Sequence, residues 1–316
     1  MKEKIKVFFT DFWTEFIISD NFFLDILEKD FEVEINEDNP EILFYSWMGE
    51  NYKKYKCLRI FYTPENWPKP KYKDCDFSLS FEYWNDLRNL RMPNYILYKI
   101  TPQHLDKTKW NLDKIMSLHS GFCSMLVSNP NQIVRNNFFN KLNKYKKVDS
   151  GGKHLNNIGG RVKDKLEFIS GYKFNLCFEN AQHQGYTTEK IVEAMRCQTI
   201  PLYWGNPLIH FEFNTKSFFN YTDYQNEDEM IEDIIEHDKD DQKYYQKFIK
   251  PWFEDNIPNQ YFDHQRIRKY LYDIIIRRKK IVPIAGNVFK QKLYYPLGYN
   301  INQLKGKFHK LVKREL

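Results

Sequence analysis

Residues 186–190 read Tyr-Thr-Thr-Glu-Lys, and the apolar positions that follow (Ile191, Val192, Ala194, Met195) predict a helix over 188–197. A helix start leaves backbone N–H groups unpaired and carries the positive end of the helix dipole. Lys190 adds a full charge there, so the place suits a phosphate. Arg135 falls on the first turns of a second predicted helix, 130–145, which follows a strand at 121–128. In a doubly wound sheet both helix starts face the crevice outside the carboxyl ends of the strands, where Arg135 would reach a phosphate with a bidentate fork. The same pattern also suits an exposed Glu189 and Lys190 pair and a solvated Arg135, and spacing alone leaves both readings open.

Other chemical signatures are absent: no GxGxxG after a strand, no GxxxxGK[ST], no HExxH and no GxSxG occurs. Asp74-Cys75-Asp76 and Asp238-Lys239-Asp240 formally match the DxD by which many manganese-dependent sugar transferases hold a nucleotide diphosphate. In a chain with 42 acidic residues such triplets arise by chance, and no metal site is assigned. The five cysteines (Cys57, Cys75, Cys123, Cys177, Cys197) form no CxxC pair, which argues against a disulfide framework or structural zinc and fits a reducing compartment.

The elements that must position these groups follow from length and pattern. A chain of 316 residues suits two units, and 42% hydrophobic with 28% charged residues excludes overall disorder. No stretch approaches the ~18 consecutive apolar residues of a membrane span. The start reads as a buried strand over 5–10 rather than a signal peptide, so a cytoplasmic location is expected. The formal charge of +6 favours an anionic partner.

Strands are predicted at 7–9, 42–45, 58–62 and 77–81, with an amphipathic stretch at 21–28, which is α/β patterning. A junction falls in the polar segment 105–120. Beyond it, the glycine-bearing loop 149–160, helix 162–170, strand 172–179, loop 180–186, helix 188–197 and strand 199–204 make a parallel β-α-β unit of nucleotide-binding type. Further helices are expected over 227–237, 244–253 and 263–280. The basic tail from 299 to 316, with Phe308, Leu311 and Val312, reads as a surface helix.

The literal sequence YKFNLCFENAQHQGYTTEKIVEAMRCQTIPLYWGNP, residues 172–207, closely resembles the donor-binding signature of the α-1,3/4-fucosyltransferases, glycosyltransferase family 10. The resemblance extends to SNPNQIVRNNFFNKLN (128–143), FYTPEN (61–66) and LRMP (90–93), covers roughly residues 40–260, and is strongest to compact bacterial members. It implies the GT-B architecture: an α/β protein of two facing Rossmann-like domains with parallel sheets. The expected division is 1–118 for the acceptor side with the catalytic base, 119–285 for GDP-fucose, and 286–316 for the tail.

On this resemblance Arg135 and Lys190 fall where the family neutralises the pyrophosphate, and Asn180, Tyr186 and Glu189 where it contacts ribose, fucose or phosphate oxygens. Glu82, in FSLSFEYW, matches the catalytic-base region with a one-residue gap, so Glu82 and Glu189 are the carboxylates assigned to catalysis. Glu65 and Glu179 are rivals, the first expected to orient its turn and the second to bond loop N–H groups. The loop 181–184 (AQHQ) departs from the family by His183 and Gln184.

The implied reaction is inverting transfer of L-fucose from GDP-fucose to O3 or O4 of GlcNAc in an N-acetyllactosamine-like acceptor, with no obligatory metal or other cofactor. Trp47, Trp67, Tyr83 and Trp84 are candidates to stack on acceptor sugars, against the alternative that they are core. The tail is a candidate for peripheral membrane contact. Competing readings are a transferase for another nucleotide sugar, a catalytically dead glycan-binding relative, and a single-strand nucleic-acid binder. The last is disfavoured because acids interleave with bases everywhere except Arg277-Arg278-Lys279-Lys280.

Overall fold

A computed structural model describes residues 1–285 apart from Pro68 and Asn85. The expected tail helix and its membrane contact lie outside the described residues. The first lobe is a six-stranded sheet of β1 (Glu3–Thr10), β2 (Phe31–Ile35), β3 (Ile42–Tyr45), β4 (Leu58–Tyr62), β5 (Phe77–Ser80) and β6 (Asn89–Arg91), in the order β2-β1-β3-β4-β5-β6. The second holds β7 (Gly121–Met125), β8 (Val148–Ser150), β9 (Tyr172–Leu176), β10 (Ile200–Tyr203) and β11 (Phe219–Asn220), in the order β11-β10-β9-β7-β8. Every strand pair is parallel. Parallel sheets need both faces covered, and the alternation along the strands shows how. Ile5, Val7 and Phe9 enter the main core with Ile42, Phe44, Ile60 and Tyr62, while Phe8, Leu43, Tyr45 and Phe61 form a smaller cluster on the opposite face.

The coverings differ between lobes. Among the described residues α1 (Phe22–Leu27), capped by Asn21, is the first lobe's one α-helix before the junction, and its other crossings are irregular or short 3-10 turns. The second lobe carries α3 (Ile133–Tyr145), α4 (Lys165–Ser170), α5 (Glu189–Arg196), α6 (Glu227–Lys239) and α7 (Asp241–Phe248), while α2 (Leu112–Leu118) sits in the junction itself. The helix predicted over 244–253 ends at Phe248, before Pro251, which lacks the N–H a continuing helix needs. Four strands escape the sequence reading: β2, a half-exposed edge strand, and β6, β8 and β11, each only 2 or 3 residues long.

The last helix, α8 (His264–Ile275), falls within the expected second unit, 119–285, and packs back on the first lobe. Its Tyr270 hydroxyl donates to Arg88 O and Ser78 O, Tyr272 stacks on Phe31, and Arg268 pairs with Asp30 at 2.6 Å. The apolar face of α8 completes a sheet that its own crossings leave partly uncovered. Among the described residues no helix is long and apolar enough to cross a membrane.

Candidate active site

Parallel pairing puts the carboxyl ends of all strands in each lobe on one edge, and these two edges meet. On the second lobe the chain beyond β9 keeps the ladder as far as Glu179, whose N–H donates to Trp204 O at 2.8 Å. The fully buried Glu179 carboxylate then accepts from Thr188 N at 2.7 Å, Thr188 Oγ1 at 2.6 Å and Lys190 Nζ at 3.0 Å. Gly205 is required beside it, since a Cβ there would lie 2.3 Å from the Glu179 side chain. Burial pushes the Glu179 carboxyl above the ordinary range, although Lys190 pulls the other way. For Lys190 burial disfavours the charge, but Glu179 and Glu189 outweigh it and raise the ammonium. For Glu189 burial is opposed by Lys190 and Lys165, whose charges hold its carboxyl down.

The reading of an open helix start is thereby corrected at its first N–H. The N–H of Thr188 is occupied by Glu179, and Lys190 is flanked by two carboxylates, Glu179 and Glu189, the latter at 3.7 Å.

Arg135 is the opposite case. It is neither solvated nor ion-paired: it is fully buried on the first turn of α3, and its guanidinium donates to Asn180 Oδ1 at 3.1 Å, to Phe178 O at 3.4 Å and to Asn129 O. All three partners are neutral oxygens, and the buried Nε has no hydrogen-bond partner. Burial lowers its pKa accordingly. A buried cation with no anionic partner is costly and is stabilised by any anion that reaches it. Arg135 and Asn180 are thus brought together, with Gln132 Nε2 donating to Asn180 O at 3.0 Å.

Loop 180–186 closes on the first lobe. Gly185 takes φ +82°, and a Cβ would lie 2.4 Å from Phe81 O, so both the backbone and the close approach select glycine. Tyr186 is buried edge-on against Phe81, and its hydroxyl donates to Glu65 Oε2 at 3.1 Å. Next to Phe81 on the carboxyl end of β5, Glu82 is 5% exposed, ion-paired with Lys69 at 3.0 Å and 3.9 Å from His183 Nε2. The structure therefore sets Glu82 and Glu65 of the first lobe opposite the loop that carries Asn180, His183 and Tyr186.

One buried knot between the lobes escapes the sequence reading. Arg91 Nη2 donates to Glu212 Oε1 at 2.6 Å and to Gly185 O at 3.0 Å, between the rings of Tyr83 and Tyr261. Tyr83, Thr187 and Asn206 also bond the same Glu212 oxygen. Tyr83 is therefore engaged in this knot rather than free for an acceptor. Arg91 lies within the LRMP match, but no local spacing marks a partner 121 positions away. The DxD triplets serve structure: Asp76 accepts from Arg59 N and Ile284 N, both at 2.8 Å, while Asp238 pairs with Lys146 and Asp240 caps α7. No group of three or more potential metal ligands occurs among the described residues.

Two facing lobes with parallel sheets, joined by a late helix that returns to the first, define the GT-B class of glycosyltransferase fold. Residues 7–98 match the family model of the α-(1,3)-fucosyltransferase FucT amino-terminal domain, and 117–270 that of the glycosyltransferase family 10 (fucosyltransferase) carboxyl-terminal domain. The chain belongs to glycosyltransferase family 10. It is 41% identical over 208 residues to the α-(1,3)-fucosyltransferase FucT of Helicobacter pylori, covering 56% of this chain and 43% of that protein. The chain thus spans less than half the length of this relative. A crystal structure of an α-1,3-fucosyltransferase superposes with a TM-score of 0.78 at 29% identity, over 90% of this chain and 93% of that one. An α-1,3-fucosyltransferase with GDP-fucose gives 0.70 at 28% identity, over 91% and 92%.

Proposed function

We propose that this chain transfers L-fucose from GDP-fucose to O3 or O4 of GlcNAc in an N-acetyllactosamine-like acceptor, with inversion at the anomeric carbon. The observation that carries this reading is the buried Arg135 guanidinium, held only by neutral oxygens beside Asn180 on the edge that faces Glu82. A diphosphate supplies the anion such a group lacks.

Glu82 takes the proton of the acceptor hydroxyl while that oxygen attacks the anomeric carbon from the face opposite the diphosphate. The bond to GDP breaks, and Arg135 and Lys190 stabilise the charge that collects on the leaving oxygens. Glu189, beside Lys190, and Tyr186 and Asn180, on the preceding loop, contact the donor's sugars or phosphates. With these fixed cations the reaction needs no divalent metal.

The reading expects GDP to raise the melting temperature by binding the folded state, UDP not to do so, and transfer to N-acetyllactosamine to continue in EDTA. A chain that responds to UDP but not GDP, or whose transfer is abolished by EDTA and restored by manganese, contradicts the corresponding part of the reading.

A further inference from the structure

The same strand edge that carries Glu82 holds a second feature. β1 pairs with β2 only as far as Val7 and Ile35, and the Asn36 N–H makes the last contact, to Val7 O at 2.8 Å. β1 then continues through Phe8, Phe9 and Thr10 without that neighbour, which leaves a notch in the sheet edge. A cavity of about 440 Å³ fills this notch. Sheet edges present main-chain N–H and C=O groups. The half-buried rings of Trp13 and Phe16, packed on each other and on Phe12, line the cavity together with the exposed Glu37, Asn51 and Lys54.

The wall is built rather than incidental. Asp11 adopts φ 59°, a left-handed conformation that a non-glycine residue takes at a cost. In that conformation its carboxylate accepts from Asn51 N at 3.1 Å and Tyr52 N at 2.8 Å, and its carbonyl from Met48 N at 3.0 Å. These bonds pin the 3-10 turn Asn51–Lys54 against the loop that leaves β1.

We propose that this notch is an acceptor subsite, which binds a pyranose of the glycan chain beyond the unit that receives fucose. The inference rests on the fucosyl-transfer reading above. The lining matches a sugar ring: aromatic faces for its C–H surface, and carboxylate, amide, ammonium and main-chain groups for its hydroxyls. The position matches as well. β1 lies three strand spacings from β5, about 14 Å along the edge at ~4.8 Å per strand, the reach of a short oligosaccharide extending from Glu82.

The test compares N-acetyllactosamine with the tetrasaccharide of two such repeats, in the wild type and in a double variant Asn51→Ala, Lys54→Ala. Both residues are exposed and bond Asp11, if at all, through the main chain, so the fold is retained. The wild type is expected to favour the tetrasaccharide in kcat/KM by about three- to tenfold, the range one hydrogen bond supplies. The double variant is expected to lose that preference while its disaccharide kcat/KM and GDP affinity stay unchanged. Equal loss on both acceptors, or no loss on either, overturns the subsite.

Saturation-transfer NMR with the tetrasaccharide on the GDP-loaded protein reads the notch without catalysis. Contact to the distal sugar that disappears in the double variant supports the subsite even if no fucose is transferred, in which case only the reaction assignment fails. No distal contact, or one indifferent to the variant, refutes it and leaves a peptide or a second copy of this chain as the occupant.

Discussion

The two edges that face each other across the cleft are built on different principles. On the second lobe, charge is buried and fixed: Glu179 is fully buried and holds Thr188 and Lys190, and Arg135 is locked by three neutral oxygens. On the first lobe the buried charges Glu82 and Arg91 sit at the β5 and β6 end of the edge, and its β1 end is made of rings and exposed polar tips on irregular loops, with the left-handed Asp11 as its strut. Fixed dipoles and charges cost no reorganisation when a leaving group gains charge. A side that must admit a polyhydroxylated chain does better with shallow rings and adjustable hydroxyl partners. On the proposed reading, the comparison teaches that the charge for the donor and the base for the acceptor are kept on separate supports.

The largest expected effect comes from Glu82→Gln, which keeps size and hydrogen bonding but accepts no proton. Transfer measured at saturating donor should fall by roughly 10² to 10⁴, the contribution of a positioned base. A rate near that of the wild type would move the role to Glu65 and then to Glu179. Next is the knot that joins the two supports. Glu212→Ala leaves Arg91 buried without its anion, and removing one partner of a buried pair costs about 3–5 kcal/mol. The urea midpoint should drop strongly, and replacing both partners, Arg91→Met with Glu212→Leu, should recover much of it. A single variant as stable as the wild type would show that the lobes do not depend on this pair.

The smallest effect concerns Asp76, whose carboxyl burial pushes up to about 6 from an ordinary 3.8. The folded state then holds the proton more tightly than the unfolded one. Stability from this group is full at low pH and is lost as pH rises through the window from 3.8 to about 6. Across that window the wild type should lose roughly 3 kcal/mol relative to Asp76→Asn, read as the difference between their melting temperatures. Parallel profiles would mean that Asp76 does not titrate there.

The β-α-β unit of the second lobe, residues 172–204, was the most legible part of the sequence, for a physical reason. Its strands and helices are regular, so the boundaries predicted around 172–204 lie within a few residues of β9, α5 and β10. Strands β3 and β4 were equally plain because β3 is a continuous apolar run and β4 is interrupted only by Arg59. What escaped depends on contacts distant in sequence: α8 returning to the first sheet, Arg91 meeting Glu212, and Glu179 taking the helix-start N–H that the pattern leaves open. Arg135 and Lys190 were both visible as cations near one crevice. Only the folded chain separates them into one compensated by carboxylates and one surrounded by neutral oxygens.

The division of labour between the two edges is tested most directly by calorimetric titration of GDP into Glu82→Gln, with Arg135→Gln as the reference. Glu82→Gln should bind GDP within a few-fold of the wild type. Arg135→Gln, which removes charge-assisted hydrogen bonds worth about 1.5–3 kcal/mol, should bind it about ten- to a hundredfold more weakly. If Glu82→Gln loses GDP affinity as Arg135→Gln does, or if Arg135→Gln binds GDP as the wild type does, the separation of donor charge from acceptor base is wrong.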